Sequence, residues 1–217
     1  MQPDMVLVLA TRNQGKTKEL QTLLEPTGIT VKNLDDFGPL PEVEEDGATF
    51  DENAYKKSSF YARILGLPAM ADDSGLTVEA LHGAPGVLSA RYAGKNATDK
   101  DRCDKLLAEL KGKPNRQAAF ECVISIAVPT GAALTYEGRC QGVIAEAPAG
   151  DNGFGYDPVF YYPPLGKTFA ELDAADKNRV SHRGQALAEV VAEVDKVKTW
   201  IQQNMPIFEK VACQHDD

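Results

Sequence analysis

The chain opens with Val6-Leu7-Val8-Leu9-Ala10-Thr11-Arg12-Asn13-Gln14-Gly15-Lys16, in which a continuous apolar run gives way to polar residues. A short apolar run that ends in turn residues predicts a buried strand, here over residues 5–10. Residues 16–25 carry leucines at helical spacing, and Pro26 marks the end of the predicted helix. The chain therefore begins as strand, loop and helix, which is typical of an α/β fold.

The later segments alternate between helical and strand patterns. Helices are predicted over residues 50–65, 99–110 and 184–203, and strands over residues 118–128 and 134–144. The turn Pro129-Thr130-Gly131 is expected to join the two strands as a hairpin. We therefore predict a mixed α/β domain with hairpin and crossover pairing over residues 1–203, followed by a C-terminal tail over residues 204–217.

The composition is that of an ordinary globular chain and excludes several kinds of partner. The 217 residues carry a net charge of −9, whereas a protein that coats a nucleic acid polymer needs a basic face. The first apolar run is too short to span a bilayer or to act as a secretion signal. The cysteines lack a paired CxxC spacing and are predicted to be reduced thiols. We therefore expect a cytoplasmic protein without membrane or nucleic acid polymer partners.

The basic residues cluster in spite of the acidic balance. They form three islands, within residues 12–18, 56–57 and 177–183. Three such islands in an acidic chain suggest one cleft that binds an anion, although solvated helix faces explain some of these positions.

The stretch Ala71-Asp72-Asp73-Ser74-Gly75 places two adjacent carboxylates on a predicted tight turn. Neighbouring carboxylates repel each other near neutral pH, so a cation or hydrogen-bond donors must compensate. Mg²⁺ is a common compensator because it prefers oxygen ligands, and a carboxylate beside it can accept a proton from water. The alternative is a solvated turn made by Asp and Ser without a metal.

The first loop resembles a phosphate-binding loop without matching it. Gly15-Lys16-Thr17 stands between a strand and a helix, but Ala10 occupies the place of the first glycine. A Thr-x-Asn-x-x-Lys turn would also direct a hydroxyl, an amide, a helix N-terminus and an ammonium at one anion. Both interpretations predict a phosphate site, and the alternative is a plain connection between strand and helix.

The acidic loop Glu42-Val43-Glu44-Glu45-Asp46-Gly47 is a possible source of a second metal ligand, or simply a solvated loop. The basic pair Lys56-Lys57 follows it and could bring an ammonium to the same phosphates.

The stretch Gly153-Phe154-Gly155-Tyr156-Asp157-Pro158 flanks a phenylalanine with glycines, which leaves a ring face open to a flat base. A loop anchor in the core is the equal alternative for Phe154. Ser181-His182-Arg183-Gly184 is either a helix cap, a reader of a base edge, or both.

Taken in order, these motifs resemble the non-canonical purine nucleoside-triphosphate pyrophosphatases, also called the inosine triphosphatase or Ham1-like family. The resemblance runs from about Val6 to Val197 and includes Gly83-Ala84-Pro85-Gly86 and Ser89-Ala90-Arg91-Tyr92. It implies a two-lobed α/β fold with an elongated mixed sheet, helices around it and a central active-site cleft. It further implies a Mg²⁺-dependent homodimer that converts ITP, dITP or XTP and water to monophosphate and pyrophosphate.

The resemblance also implies roles for individual residues. Asp73 is expected to be the general base and a metal ligand, with Glu45 as the second metal ligand and Asp72 in support. The expected substrate contacts are Thr11, Arg12, Asn13, Gln14, Gly15, Lys16, Lys57, Ser74, Phe154, Gly155, Tyr156, Asp157, Lys177, His182 and Arg183. Arg12 is bulkier than the small residue that the family often has there.

Two other functions are compatible with parts of the sequence. Gly15-Lys16-Thr17 suggests a phosphate-loop kinase or NTPase, which would act at the γ-phosphate. A non-catalytic nucleotide sensor is the third interpretation. The pair Asp72-Asp73 argues against a sensor, because a protein that merely binds anions gains nothing from added negative charge.

Overall fold

The computed structural model describes residues 5–206, which form a seven-stranded sheet flanked by six helices. The strands are β1 (Val6–Leu9), β2 (Thr30–Asn33), β3 (Ala69–Val78), β4 (Gln117–Ala127), β5 (Ala133–Ile144), β6 (Phe160–Tyr162) and β7 (Lys167–Thr168). The helices are α1 (Gln14–Leu24), α2 (Phe50–Leu65), α3 (Asp99–Glu109), α4 (Ala174–Val180), α5 (His182–Ala192) and α6 (Val194–Asn204). Short 3₁₀ turns such as Leu34–Phe37 and Gly86–Arg91 lie in the connections.

The sheet is mixed, with the order β2-β1-β3-β4-β5-β6-β7. β1 pairs in parallel with β2 and β3, and parallel pairing needs long connections, which here contain α1 and α2. β3 to β7 pair antiparallel in succession, with the long β4–β5 hairpin at the centre. The predicted combination of crossover and hairpin pairing is confirmed.

Successive residues of the first strands pack on opposite faces of the sheet. Leu7 and Leu9 of β1 lie in a core with α1, α5 and α6, whereas Val8 and Ala10 lie in a core with α2. This alternation follows from the period of two along a strand. Helices therefore cover both faces where β1, β3 and β4 meet.

A separate core lies at the other end of the central strands. Leu76 and Val78 of β3 pack there with Phe120 of β4, with α3 and with the aromatic residues Phe160 and Phe169. β3 and β4 thus pass from one core to the other. This arrangement matches the expected two-lobed fold on an elongated sheet.

Two predictions about secondary structure are wrong. Asp72 and Asp73 do not lie on a tight turn but inside β3, opposite Ile124 and Val123 of β4. The strand continues through the two acids because β4 satisfies the backbone on one side and cations neutralise the carboxylates, as described below. The last predicted helix is two helices, which break at Glu193, so that each turns apolar residues onto the same core.

Several smaller expectations can be compared directly with the structure. α1 begins at Gln14, two residues before the predicted start. Cys103, Cys122 and Cys140 are buried free thiols, whereas Cys213 and most of the predicted tail lie outside residues 5–206. Within the described part of the chain, the helices are too short or too polar to cross a bilayer.

Candidate active site

A cavity of about 380 Å³ lies over the middle of β3, between the first loop, the acidic loop and the loop at residues 153–157. The predicted site residues line this cavity, except Gln14 and Gly15. Gln14 is the exposed first residue of α1, and Gly15 lies behind the Phe154 ring. Segments far apart in the sequence therefore meet at a single site.

Asp72 is fully buried and acts as the counter-ion of two cations. Its Oδ2 lies 3.0 Å from Arg183 Nη2 and 3.1 Å from Lys16 Nζ. Burial by itself would raise the pKa of Asp72, but the charges of Lys16 and Arg183 outweigh it and hold this pKa well below its usual range. Asp72 is therefore ionised near neutral pH and fixes the two cations, while it does not itself line the cavity.

Asp73 faces the cavity and a different cation. Its Oδ1 accepts a hydrogen bond of 3.0 Å from Lys57 Nζ, and 8% of its side chain is exposed. Burial raises the pKa of Asp73, and the nearby charges of Lys57 and Lys16 offset this effect only in part. A carboxylate of raised pKa accepts a proton more readily, which suits a general base.

Lys57 links the two carboxylates that the sequence assigns to a metal. Its Nζ lies 3.2 Å from Glu45 Oε1 as well as 3.0 Å from Asp73 Oδ1. Burial opposes the charge on Lys57, but Asp73 and Glu45 outweigh it and raise the lysine pKa. Residues 5–206 contain no cluster of three or more His, Cys, Asp or Glu side chains that could hold a metal. Two carboxylates at one point fit Mg²⁺, which commonly takes one or two carboxylates, water and substrate phosphates.

The first loop caps α1 instead of forming a glycine-rich phosphate nest. Asn13 Oδ1 accepts the backbone N–H of Lys16 at 3.0 Å, and the N–H of Asn13 donates to Thr11 Oγ1 at 3.2 Å. The cap leaves the helix N-terminus beside the cavity, where Thr11, Asn13 and Lys16 are lining residues. Arg12 is exposed and donates to the carbonyl oxygen of Leu40, so it also contacts the segment just before the acidic loop.

Phe154 lies in the cavity wall and in none of the three apolar cores. A Cβ on Gly15 would come within 2.6 Å of the Phe154 ring, so the glycine makes room for it. Lys177 Nζ lies 4.6 Å from the ring centroid, close enough for a cation–π contact. This position favours the base platform over the core anchor. Tyr156, by contrast, belongs to a core.

The remaining cations contact a second group of carboxylates, Asp157 and Glu19, of which only Glu19 was not predicted from the sequence. Lys177 Nζ lies 2.6 Å from Asp157 Oδ2 and 2.9 Å from Glu19 Oε1. Arg183 donates to Glu19, to Asp72 and to Ser74. Glu19 was detectable in principle, because it stands three residues after Lys16 on the same helix face. Its role depends on α4 and α5, whose approach no local pattern reveals.

His182 is buried and neutral. Its ring stacks on Phe120 with centroids 4.7 Å apart, and its Nδ1 has no hydrogen-bond partner among the described residues. Burial, assisted by the charges of Arg183 and Lys177, lowers the pKa of His182 well below its usual value.

Asp99, which was also not predicted from the sequence, lines the cavity and accepts the N–H of Gly155 at 2.7 Å. That bond ties α3 to the Phe154 loop.

Comparison with known proteins places this fold and site in a family. Residues 7–193 match the Ham1 family, to which the chain belongs. A dITP/XTP pyrophosphatase of Desulfotalea psychrophila is 59% identical over 200 residues, which cover 92% of this chain and 90% of the relative. Another, of Syntrophobacter fumaroxidans, is 60% identical over 196 residues, or 90% of this chain and 84% of the relative.

Solved structures agree with this assignment. A HAM1 protein from Coxiella burnetii superposes with a TM-score of 0.82 at 46% identity, over 88% of this chain and 99% of that one. The Ham1 protein of Staphylococcus aureus gives 0.80 at 41% identity, over 88% and 99%. The family and the fold expected from the sequence are therefore confirmed.

Proposed function

We propose that this protein hydrolyses the non-canonical purine nucleoside triphosphates ITP, dITP and XTP to monophosphate and pyrophosphate, with Mg²⁺. The observation that carries the proposal is Asp73, a buried carboxylate of raised pKa that faces a cavity lined by cations and an aromatic ring. Relatives that share about 60% of its residues are named dITP/XTP pyrophosphatases, which supports the same reaction. Clearing such nucleotides would keep deaminated purines out of DNA and RNA.

The cations of the cavity are suited to a triphosphate. Lys16 stands beside the α1 N-terminus, and Lys57, Lys177 and Arg183 complete the basic wall. Each of these cations already contacts a protein carboxylate, so each is held in place before substrate arrives. Such preorganised charge stabilises phosphate oxygens without reordering of the site during the reaction.

Asp73 would take the proton of the attacking water. Water then bonds to the α-phosphorus while the bond to the β-phosphate oxygen breaks, which gives monophosphate and pyrophosphate. Lys57, 3.0 Å from Asp73, keeps the carboxylate in position before and after proton transfer. When bound, Mg²⁺ held by Asp73 and Glu45 would neutralise charge on the phosphates and lower the pKa of water.

The base would stack on Phe154, and a neutral His182 is available to read its edge. His182 lines the cavity, and its buried Nδ1 has no hydrogen-bond partner among residues 5–206. Hypoxanthine and xanthine present an oxygen at position 6, where adenine presents an amino group. A site built for one hydrogen-bonding pattern can reject the other by roughly 10⁴-fold, because buried groups would remain unpaired. The sequence suggested that Arg183 reads the base. Its N–H groups instead donate hydrogen bonds to Glu19, Asp72 and Ser74.

Product analysis separates this function from the alternatives. We expect ITP with Mg²⁺ to yield IMP and pyrophosphate, and omission of Mg²⁺ to abolish the reaction. Release of IDP and phosphate, or phosphoryl transfer to an acceptor, would instead support a phosphate-loop enzyme. Binding of ITP without turnover would support the sensor.

The assembly and the location of the protein are further parts of the proposal. The homodimer implied by the family resemblance predicts about twice the 23.5 kDa mass of one chain in solution. Light scattering on the purified protein tests it. The cytoplasmic location stays a prediction from the sequence.

A further inference from the structure

The acidic loop that carries Glu45 is attached to the protein by side chains. Residues 40–47, which are the acidic loop and the two residues before it, have no regular secondary structure and make no backbone–backbone hydrogen bond with another described residue. Side chains outside the loop bind its backbone at several points. Arg12 binds the carbonyl of Leu40, and Tyr61 binds that of Pro41. The position of Glu45 is therefore not dictated by helix or sheet geometry.

Two of these bonds flank Glu45 directly. Arg91, from the 3₁₀ turn at Gly86–Arg91, donates from Nη2 to the carbonyl oxygen of Glu45 at 2.6 Å. Asn53, on the first turns of α2, accepts the N–H of Gly47 with its Oδ1 at 2.8 Å. The backbone is thus fixed at Glu45 itself and two residues further on.

Asn53 is not an ordinary surface contact. It is 1% exposed, and its Nδ2 has no partner among the described residues. A Cβ on Gly47 would come within 2.7 Å of Asn53 Oδ1, so the loop packs closely against the amide. Burying an amide with an unpaired N–H costs free energy, which a purely structural role could avoid with an apolar residue.

We propose that Asn53 and Arg91 are positioning residues, which hold the backbone around Glu45 so that its carboxylate meets Asp73 at Lys57. Neither side chain is assigned to substrate or metal. Both act through Glu45, whose Oε1 lies 3.2 Å from Lys57 Nζ. The inference rests on the proposed function, since it assigns Glu45 to the bound metal. Groups that orient metal ligands typically change metal affinity or activity by about 10- to 100-fold when they are removed.

The test compares Asn53→Leu and Arg91→Met with the wild type. Leucine keeps the branched shape of the Asn53 side chain but removes the acceptor, and methionine keeps an unbranched apolar stem at position 91 but removes the guanidinium donors of Arg91. Ser58→Ala is the matched control, because Ser58 is a buried polar residue of α2 whose hydroxyl bonds to Ser125 instead of the acidic loop. Each protein is titrated with Mg²⁺ during ITP hydrolysis. Mn²⁺ binding is measured separately by electron paramagnetic resonance with a non-hydrolysable ITP analogue.

We expect both variants to need about tenfold more Mg²⁺ for half-maximal rate and to bind Mn²⁺ about tenfold more weakly. Turnover at saturating Mg²⁺ should recover, and Ser58→Ala should behave as the wild type. Arg91→Lys, which restores a cationic donor, should regain most of the affinity. Unchanged Mn²⁺ binding in the variants would overturn the proposal, whether or not turnover falls.

Misfolding of a variant and failure of the proposed function can each be distinguished from failure of the positioning role. If Asn53→Leu fails to fold, Arg91→Met decides the question, because Arg91 is exposed and its replacement opens no cavity. If the wild type does not release pyrophosphate from ITP, the proposed function fails. The Mn²⁺ measurement then still tests the positioning role, because it requires no turnover.

Discussion

Asp72 and Asp73 are neighbours in one strand, yet they lie in opposite surroundings. Successive side chains of a strand point to opposite faces. Asp72 therefore lies on the side of α1 and α5, where Lys16 and Arg183 contact it. Asp73 lies on the side of α2, where Lys57 is its closest cation. The pKa of Asp72 is lowered and that of Asp73 is raised.

One residue type thus serves two purposes at adjacent positions. Two strong cations hold Asp72 ionised, and in return Asp72 orients them for phosphate. Asp73 contacts one lysine, Lys57, which it shares with Glu45, and the charges of Lys57 and Lys16 together offset burial only in part, so burial dominates the pKa of Asp73. Environments that push the pKa values of two carboxylates apart give the two groups different roles.

The largest expected effect is on turnover in Asp73→Asn. Removal of the base and of a metal charge should lower kcat by about two orders of magnitude or more, because general-base catalysis is worth roughly 10²- to 10⁴-fold. Pyrophosphate release measures the rate, and calorimetry with a non-hydrolysable ITP analogue should show that nucleotide still binds. A rate near that of the wild type would remove Asp73 from its assigned role.

Asp72→Asn should reverse the pattern and chiefly reduce stability. It removes the buried counter-ion of Lys16 and one of the two carboxylates that contact Arg183, and breaking a buried ion pair by removing one partner costs about 3–5 kcal/mol. Urea unfolding monitored by circular dichroism measures the loss. Asp73→Asn is the control and should cost much less, because Lys57 keeps Glu45 as a partner. Equal losses in the two variants would contradict the distinction drawn between these carboxylates.

Phe154→Ala should weaken substrate binding by a smaller amount. The loss of a stacked base is worth about 1–3 kcal/mol, which raises KM for ITP by roughly 5- to 150-fold. Steady-state kinetics measure KM, and a melting curve shows whether the fold survives. An unchanged KM together with a large loss of stability would revive the interpretation of Phe154 as a core anchor.

The smallest effect is the dependence of stability on pH, where the two acids should have opposite signs. Stability contributed by Asp72 is present above its unfolded pKa of 3.8 and is lost as the pH falls towards its lower folded pKa. For Asp73, whose folded pKa is raised, the unfolded state releases its proton first, so stability falls as the pH rises above 3.8.

Urea unfolding between about pH 3 and pH 6, for the wild type and each Asn variant, separates the two contributions. The stability advantage of the wild type over Asp72→Asn should shrink on acidification below 3.8. Relative to Asp73→Asn, the wild type should gain stability on acidification towards that value. Slopes of the same sign for both pairs would show that the carboxylates share one environment.

Most elements of the fold could be predicted because their signals are local. The apolar run of β1, the periodicity of α2 and the turn between β4 and β5 each depend on a few consecutive residues. The two failures have non-local causes. β3 continues through Asp72 and Asp73 because of β4 and distant cations, and the break at Glu193 lets two helices pack on one core.

The residues of the site could be predicted from the sequence better than the contacts between them. The presence and the order of the phosphate-binding, acidic and aromatic motifs could be read from the sequence, since they depend on residue type and spacing. The contacts of Lys16 and Arg183 with Asp72, and of Lys57 with Asp73 and Glu45, depend instead on how the chain folds. Those partners come from separate helices and a loop. Burial and charge, which set each carboxylate's pKa, therefore arise only when the chain has folded.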